Sequence, residues 1–203
     1  MDIYFINLNL SQDIIENKII LNKVHHKMSR LFLKYILETG YNIHSPEILI
    51  KNKKPYLEDN LIYFSISHSN SVIGIAFDVS NIGFDIEYKK NRNIKSLLKH
   101  YGLENNNITE EEFYQMWTVY EAEYKSGEKI NCISFNYKNY MCSISCKNQK
   151  IDKIFEIKVL TDFENLKNQE YIKKIDYNLE KCSANDINIL SNLKLKIGDK
   201  IVN

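Results

Sequence analysis

A chain of 203 residues, 44% hydrophobic and 26% charged, can bury a sizeable core as one large domain or two small lobes. Its net charge of +1 offers no global attraction for nucleic acid, so any anion site has to be local. No apolar run is long enough to span a bilayer, and residues 1–7 lack the basic start and small-residue cleavage site of a secretory signal. Cys132, Cys142, Cys146 and Cys182 form no CxxC pair and read as reduced, packed thiols. These features predict a cytoplasmic protein with no membrane and no nucleic-acid partner.

Residues 3–8 read as an opening strand, and Ser11 or Asp13 can start a short helix. Over residues 19–37, Ile20, Val24, Met28, Leu31, Phe32, Tyr35 and Ile36 recur at helical spacing, and Gly40 is placed to close that helix as its C-cap. The other face carries Lys23, Lys27, Arg30 and Lys34, uninterrupted by acid. Such a stripe is either a solvated face or a surface for phosphate. A short strand at 47–50 precedes Lys53-Lys54-Pro55-Tyr56, which Pro55 confines to an edge or loop because it has no N–H for a ladder. Strands at 61–67, 72–78 and 82–87 follow on short turns, as in an antiparallel meander.

Lys89, Lys90, Arg92, Lys95 and Lys99 then surround a short helix expected at 94–101. Thr109-Glu110-Glu111-Glu112 is a capping box, and the helix it opens carries Phe113, Trp117 and Glu121 at i+4 steps before ending at Ser126-Gly127. Strands are expected at 130–144, 154–160 and 171–182, with a short helix at 162–168. That order predicts an α+β fold of two lobes, residues 1–90 and 91–203.

Chemistry concentrates in two fragments. In Gly83-Phe84-Asp85-Ile86-Glu87, strand alternation puts both carboxylates on one side; an exposed strand edge would give the same pattern. Trp117, Glu121 and Lys125 share a helical stripe, although Glu121 and Lys125 are also spaced for a surface ion pair. If strand and helix meet, three carboxylates and an ammonium converge, a set suited to Mg²⁺ and a phosphate. Mn²⁺ accepts the same oxygen donors. In Ser65-Ile66-Ser67-His68-Ser69-Asn70, a strand is expected to end so that hydroxyls, imidazole and turn amides face one anion.

Taken in order, Lys54-Pro55, Ser67-His68-Ser69, Gly83-Phe84-Asp85-Ile86-Glu87 and the segment from Trp117 through Tyr120-Glu121 to Lys125 resemble the 4′-phosphopantetheinyl transferases. The likeness is greatest to the two-lobed, monomeric type that activates peptide synthetases, whose pattern reads KP, SHS, G-x-D-x-E and W-x-x-K-E-x-x-x-K. Cys182-Ser183 resembles the family's closing strand. The resemblance implies two similar α+β lobes in a pseudo-twofold arrangement, each with an antiparallel sheet packed on a helix.

It further implies that Asp85, Glu87 and Glu121 hold Mg²⁺ and that His68 contacts the 3′-phosphate of coenzyme A. Ser67 and Lys125 would approach the pyrophosphate, and Lys54 and Pro55 would lie near the adenine through main-chain groups. Arg30, with Lys27 or Lys23, would join the 3′-phosphate site. Glu121 would act as the base and Lys125 on the leaving group. The reaction implied is transfer of 4′-phosphopantetheine from coenzyme A to a serine of an acyl or peptidyl carrier protein, releasing adenosine 3′,5′-bisphosphate. Lys95 and Lys99 lie on a candidate docking edge for an acidic carrier. One position departs from the pattern: Tyr120 stands where the family has lysine. A metal-dependent phosphohydrolase and a noncatalytic coenzyme A or carrier-binding module are the alternative readings.

Overall fold

The computed structural model describes residues 1–51, 54–58, 61–90, 108–130, 132–159 and 195–200. The strand β1 (Asp2–Asn7) shows how the layers are set, because it is buried on both faces. Tyr4 and Ile6 belong to one core with Phe32, Leu33, Ile36 and Leu37 of the helix α2 (Lys18–Tyr41). Ile3 and Phe5 belong to a second core with Phe84, Ile86, Cys142 and Ile144. Alternation along one strand thus divides the interior into two.

The strands β4 (Tyr63–Ser69) and β5 (Val72–Asp78) are followed by β6 (Ile82–Tyr88) and a hairpin, β7 (Cys132–Tyr137) and β8 (Tyr140–Cys146). With β9 (Lys153–Val159) and β10 (Leu195–Lys200), they form a five-stranded sheet ordered β10-β9-β1-β5-β4 and a three-stranded sheet ordered β6-β8-β7. All pairings are antiparallel except β1 with β9. A separate ribbon pairs β2 (Ile48–Lys51) with β3 (Lys54–Leu57). A short helix α1 (Gln12–Glu16) precedes α2, and α3 (Glu110–Ser126) packs on β6 and β8. The protein is therefore α+β, with antiparallel sheets packed against helices. β6 shares its sheet with β7 and β8, while β9 and β10 extend the sheet that begins with β1, so strands from before and after residue 90 mix in both sheets.

Three local expectations change. The meander breaks after β5, because β1 and β4 already occupy both edges of β5, and β6 joins β8 instead. The span 130–144 is a hairpin and not one strand; Lys138 turns it with a φ of 52°. Gly40 lies inside α2, and the cap is Asn42 at a φ of 55°, a left-handed geometry that asparagine tolerates. Gly40 has a different reason to be small: a Cβ there would sit 3.1 Å from the Tyr4 hydroxyl. The expected capping box is present, with Thr109 Oγ1 accepting from Glu112 N at 3.2 Å and Thr109 N donating to Glu112 Oε2 at 2.8 Å. Gly127 ends α3 in the left-handed region at a φ of 72°. The helices expected at 94–101 and 162–168 and the strand at 171–182, with Arg92, Lys95, Lys99, Cys182 and Ser183, lie outside the described residues.

Candidate functional site

β4 places serines at every second position, and the structure uses that period. Ser65, Ser67 and Ser69 all point toward β6, whose edge away from β8 pairs with no strand among the described residues. Ser65 Oγ accepts from Phe84 N at 3.0 Å, and Ser69 Oγ accepts from Tyr88 N at 3.0 Å. Hydroxyls thus satisfy edge amides that burial would otherwise penalise. The remaining hydroxyl bonds reach the carboxylates: Ser67 Oγ donates to Asp85 Oδ1 at 2.7 Å, and Ser69 Oγ donates to Glu87 Oε2 at 2.9 Å.

On α3 the face turned to the sheet is Tyr114, Thr118, Ala122 and Ser126, all buried. Small side chains there bring the helix close, and buried hydroxyls join it to β8: Thr118 Oγ1 lies 2.7 Å from Ser143 Oγ, and Ser126 Oγ lies 3.0 Å from Ser145 Oγ. Trp117, Glu121 and Lys125 occupy the adjoining edge, half-buried. Lys125 Nζ reaches across to Asp85 Oδ1 at 2.7 Å, Ser67 Oγ at 3.0 Å and the Phe84 carbonyl at 3.2 Å. Its ion pair is with Asp85 and not with Glu121 one turn earlier.

Strand and helix therefore do meet, joining Ser67, Asp85 and Lys125 in one bonded group beside Glu87. Asp85 is only 4% exposed, and its second oxygen, Oδ2, is buried with no hydrogen-bond partner among the described residues. A buried carboxylate oxygen left without a donor is costly and is a natural ligand for a cation. Asp85, Glu87 and Glu121 are the oxygen donors that a hard divalent ion takes, but the expected convergence of all three is corrected: Lys125 joins Asp85, and Glu121 is not drawn into that group. Among the described residues, no three His, Cys, Asp or Glu side chains are grouped closely enough to hold a metal ion.

The expectation that Ser67, His68 and Ser69 all face one anion is corrected. β4 continues through Ser69, so His68 points opposite to its neighbours. Its ring stacks on His25 of α2, with centroids 4.2 Å apart. His25 is 2% exposed, and its Nε2 lies 2.7 Å from the Asn70 carbonyl, which assigns the ring proton to Nε2. Burial, and then the neighbouring His68, push the His25 pKa down to about 4. Burial and the charge of Lys125 also lower His68. The His25 ring is therefore neutral near pH 7.

Lys27 and Arg30 stand on α2, which carries His25; Arg30 is exposed and Lys27 half-buried. Their charges lower the pKa of exposed His26, after burial. Lys54 and Pro55 lie in β3, and the Lys54 ammonium turns inward to Asn81, Ile82 and Lys125. Tyr120 is 62% exposed on the outer side of α3.

Sequence reasoning missed His25, Asn81 and the paired use of Ser65 and Ser69. The serine period of two was visible in the chain, and His25 was a polar residue next to apolar Val24 in the helix pattern. Asn81 had no local signal, since its role depends on where α3 ends.

No family model matches this chain. An 85-residue stretch is 32% identical to a protein of Haemophilus influenzae described as "Putative 4'-phosphopantetheinyl transferase", covering 36% of this chain and 36% of that relative. This distant, partial likeness supports the phosphopantetheinyl transferase superfamily and a transferase of that general kind; it does not reach the two-lobed type. No helix among the described residues is long and apolar enough to cross a membrane.

Proposed function

We propose that this chain transfers 4′-phosphopantetheine from coenzyme A to a serine hydroxyl of an acyl or peptidyl carrier protein, releasing adenosine 3′,5′-bisphosphate. The observation that carries this reading is the bonded group of Asp85, Ser67 and Lys125 with an orphaned carboxylate oxygen at its centre. The partial likeness to the Haemophilus influenzae relative supports the same direction. Asp85, through its orphaned Oδ2, would hold Mg²⁺ or Mn²⁺, and Glu87 and Glu121, which this structure does not group with it, would be the further carboxylate ligands; the ion when bound would neutralise pyrophosphate charge. Everything else is positioning, as phosphoryl transfer requires.

In this reaction the serine oxygen forms a bond to the phosphorus that carries pantetheine, and the bridging P–O bond to the adenosine-side phosphate breaks. Glu121 takes the serine proton. Lys125 stabilises the leaving phosphate; with its ammonium already between Asp85 and Ser67, it is held ready beside the carboxylates. His68 receives the 3′-phosphate, with Arg30 and Lys27 of α2 adding positive charge; the stack on His25 is what ties β4 to that helix. Lys54 and Pro55 offer backbone groups to the adenine. Action as a monomer and residence in the cytoplasm complete the reading; the last is supported by free Cys132, Cys142 and Cys146.

Intact mass of an apo carrier protein incubated with coenzyme A, Mg²⁺ and this protein tests the proposal. A gain of one phosphopantetheine, abolished by chelator, is the expected result. Hydrolysis of the pyrophosphate without carrier would make it a phosphohydrolase, and binding of coenzyme A without turnover would make it a noncatalytic module.

A further inference from the structure

Lys54 is a basic residue whose side chain serves the protein interior. From β3 its Nζ donates to the Lys125 carbonyl at 2.8 Å, to the Ile82 carbonyl at 3.0 Å and to Asn81 Oδ1 at 3.4 Å. An ammonium has three N–H donors, and here each has an acceptor. Asn81 also donates from Nδ2 to the Ser126 carbonyl at 2.6 Å. The last carbonyls of an α-helix lack intrahelical partners. In α3, those of Lys125 and Ser126 are met by side chains from β3 and from the turn between β5 and β6.

A cation at a helix C-terminus is favoured by the helix dipole. Burial and the positive charge of Lys125 work against it and lower the Lys54 pKa. The arrangement grips one residue at both ends. Lys54 holds the main chain of Lys125, while Asp85, Ser67 and the Phe84 carbonyl hold its side chain. Because Ile82 opens β6, the same ammonium also fixes the start of the strand that carries Asp85.

We infer that Lys54 is a positioning residue that locks the last turn of α3 onto β6 and thereby sets where the Lys125 ammonium sits against Asp85. Its catalytic consequence rests on the transferase reading, whereas its structural consequence does not. The ammonium is thus engaged within the protein, and only the backbone of the Lys54-Pro55 segment is left for a nucleotide.

Lys54→Met keeps the chain length and removes the donors; Lys54→Arg keeps charge and donors. Amide hydrogen exchange over residues 124–127 is expected to quicken about tenfold in Lys54→Met and to recover largely in Lys54→Arg. In the carrier assay, Lys54→Met should lower kcat about tenfold with little change in KM for coenzyme A, because Lys125 and not the nucleotide is displaced. Unaltered exchange in folded Lys54→Met overturns the inference. A raised KM with unaltered kcat also overturns it, by assigning the ammonium to the nucleotide. Should Lys54→Met not fold, Lys54→Gln is read with the same two outcomes. If the wild-type protein transfers nothing, exchange alone decides, which separates failure of this inference from failure of the transferase reading.

Discussion

A Cβ placed on Gly83 would lie 1.9 Å from the carbonyl oxygen of Ala122 and 2.6 Å from Ser126 N. The absent side chain lets α3 lie directly on β6, and that close approach puts Lys125 within reach of Asp85. The obstruction is helix backbone, which cannot rotate aside as a side chain does. Gly83→Ala should cost about 2–3 kcal/mol, read by urea denaturation, and weaken the Lys125–Asp85 contact. A variant as stable as wild type would mean that the helix yields without penalty.

The orphaned Asp85 Oδ2 makes a prediction about cations. With coenzyme A present, saturating Mg²⁺ should raise Tm by about 2–4 °C in wild type and by much less in Asp85→Asn. Equal shifts in the two proteins would place any bound ion away from Asp85.

Glu121 is half-buried one turn before Lys125 on α3 and lies outside the ion pair with Asp85. Replacement should therefore separate catalysis from folding. Glu121→Gln is expected to reduce carrier modification about 10²-fold or more while leaving the denaturation midpoint nearly unchanged. Transfer at the wild-type rate would remove Glu121 from the chemistry.

The pKa of His25, pushed down to about 4, dictates a dependence of stability on pH. An unfolded histidine titrates near 6.5, so between about pH 6.5 and 4 the unfolded chain holds more protons than the folded one. The neutral ring's contribution is complete above pH 6.5 and is lost as pH falls toward 4. It amounts to about 3 kcal/mol. Denaturation across that window should show the decline, and His25→Phe should flatten it. An equally steep decline in His25→Phe would assign it to other groups.

Tyr120 is exposed, and no ring, ion pair or hydrogen bond ties it to Asp85 or Lys125 among the described residues. Placing a lysine here by Tyr120→Lys, as in the transferase pattern the chain resembles, should change kcat by less than about threefold. A large gain would show that the chemistry calls for a charge there.

The elements themselves were legible in the chain because local forces specify them. Thr109 and Glu112 cap α3 wherever that helix lies, Gly127 ends it, and the apolar period of α2 needs only a core to face. The acidic alternation of Asp85 and Glu87, and the stripe holding Glu121 and Lys125, were equally local. What the chain alone left open was the company each residue keeps. Glu121 and Lys125 have the spacing of a helix ion pair, and only the close packing permitted by Gly83 gives Lys125 the less exposed Asp85 as its partner. His68 looked like one of three groups on an anion until β4 ran on through Ser69 and turned it to His25. The side chain of Lys54 had no partner legible in the chain until the end of α3 arrived beside it. Periodicity and capping act over a few residues and can be read from sequence, whereas ion pairs and helix-end contacts join residues as distant as Lys54 and Lys125, and those are decided when the layers pack.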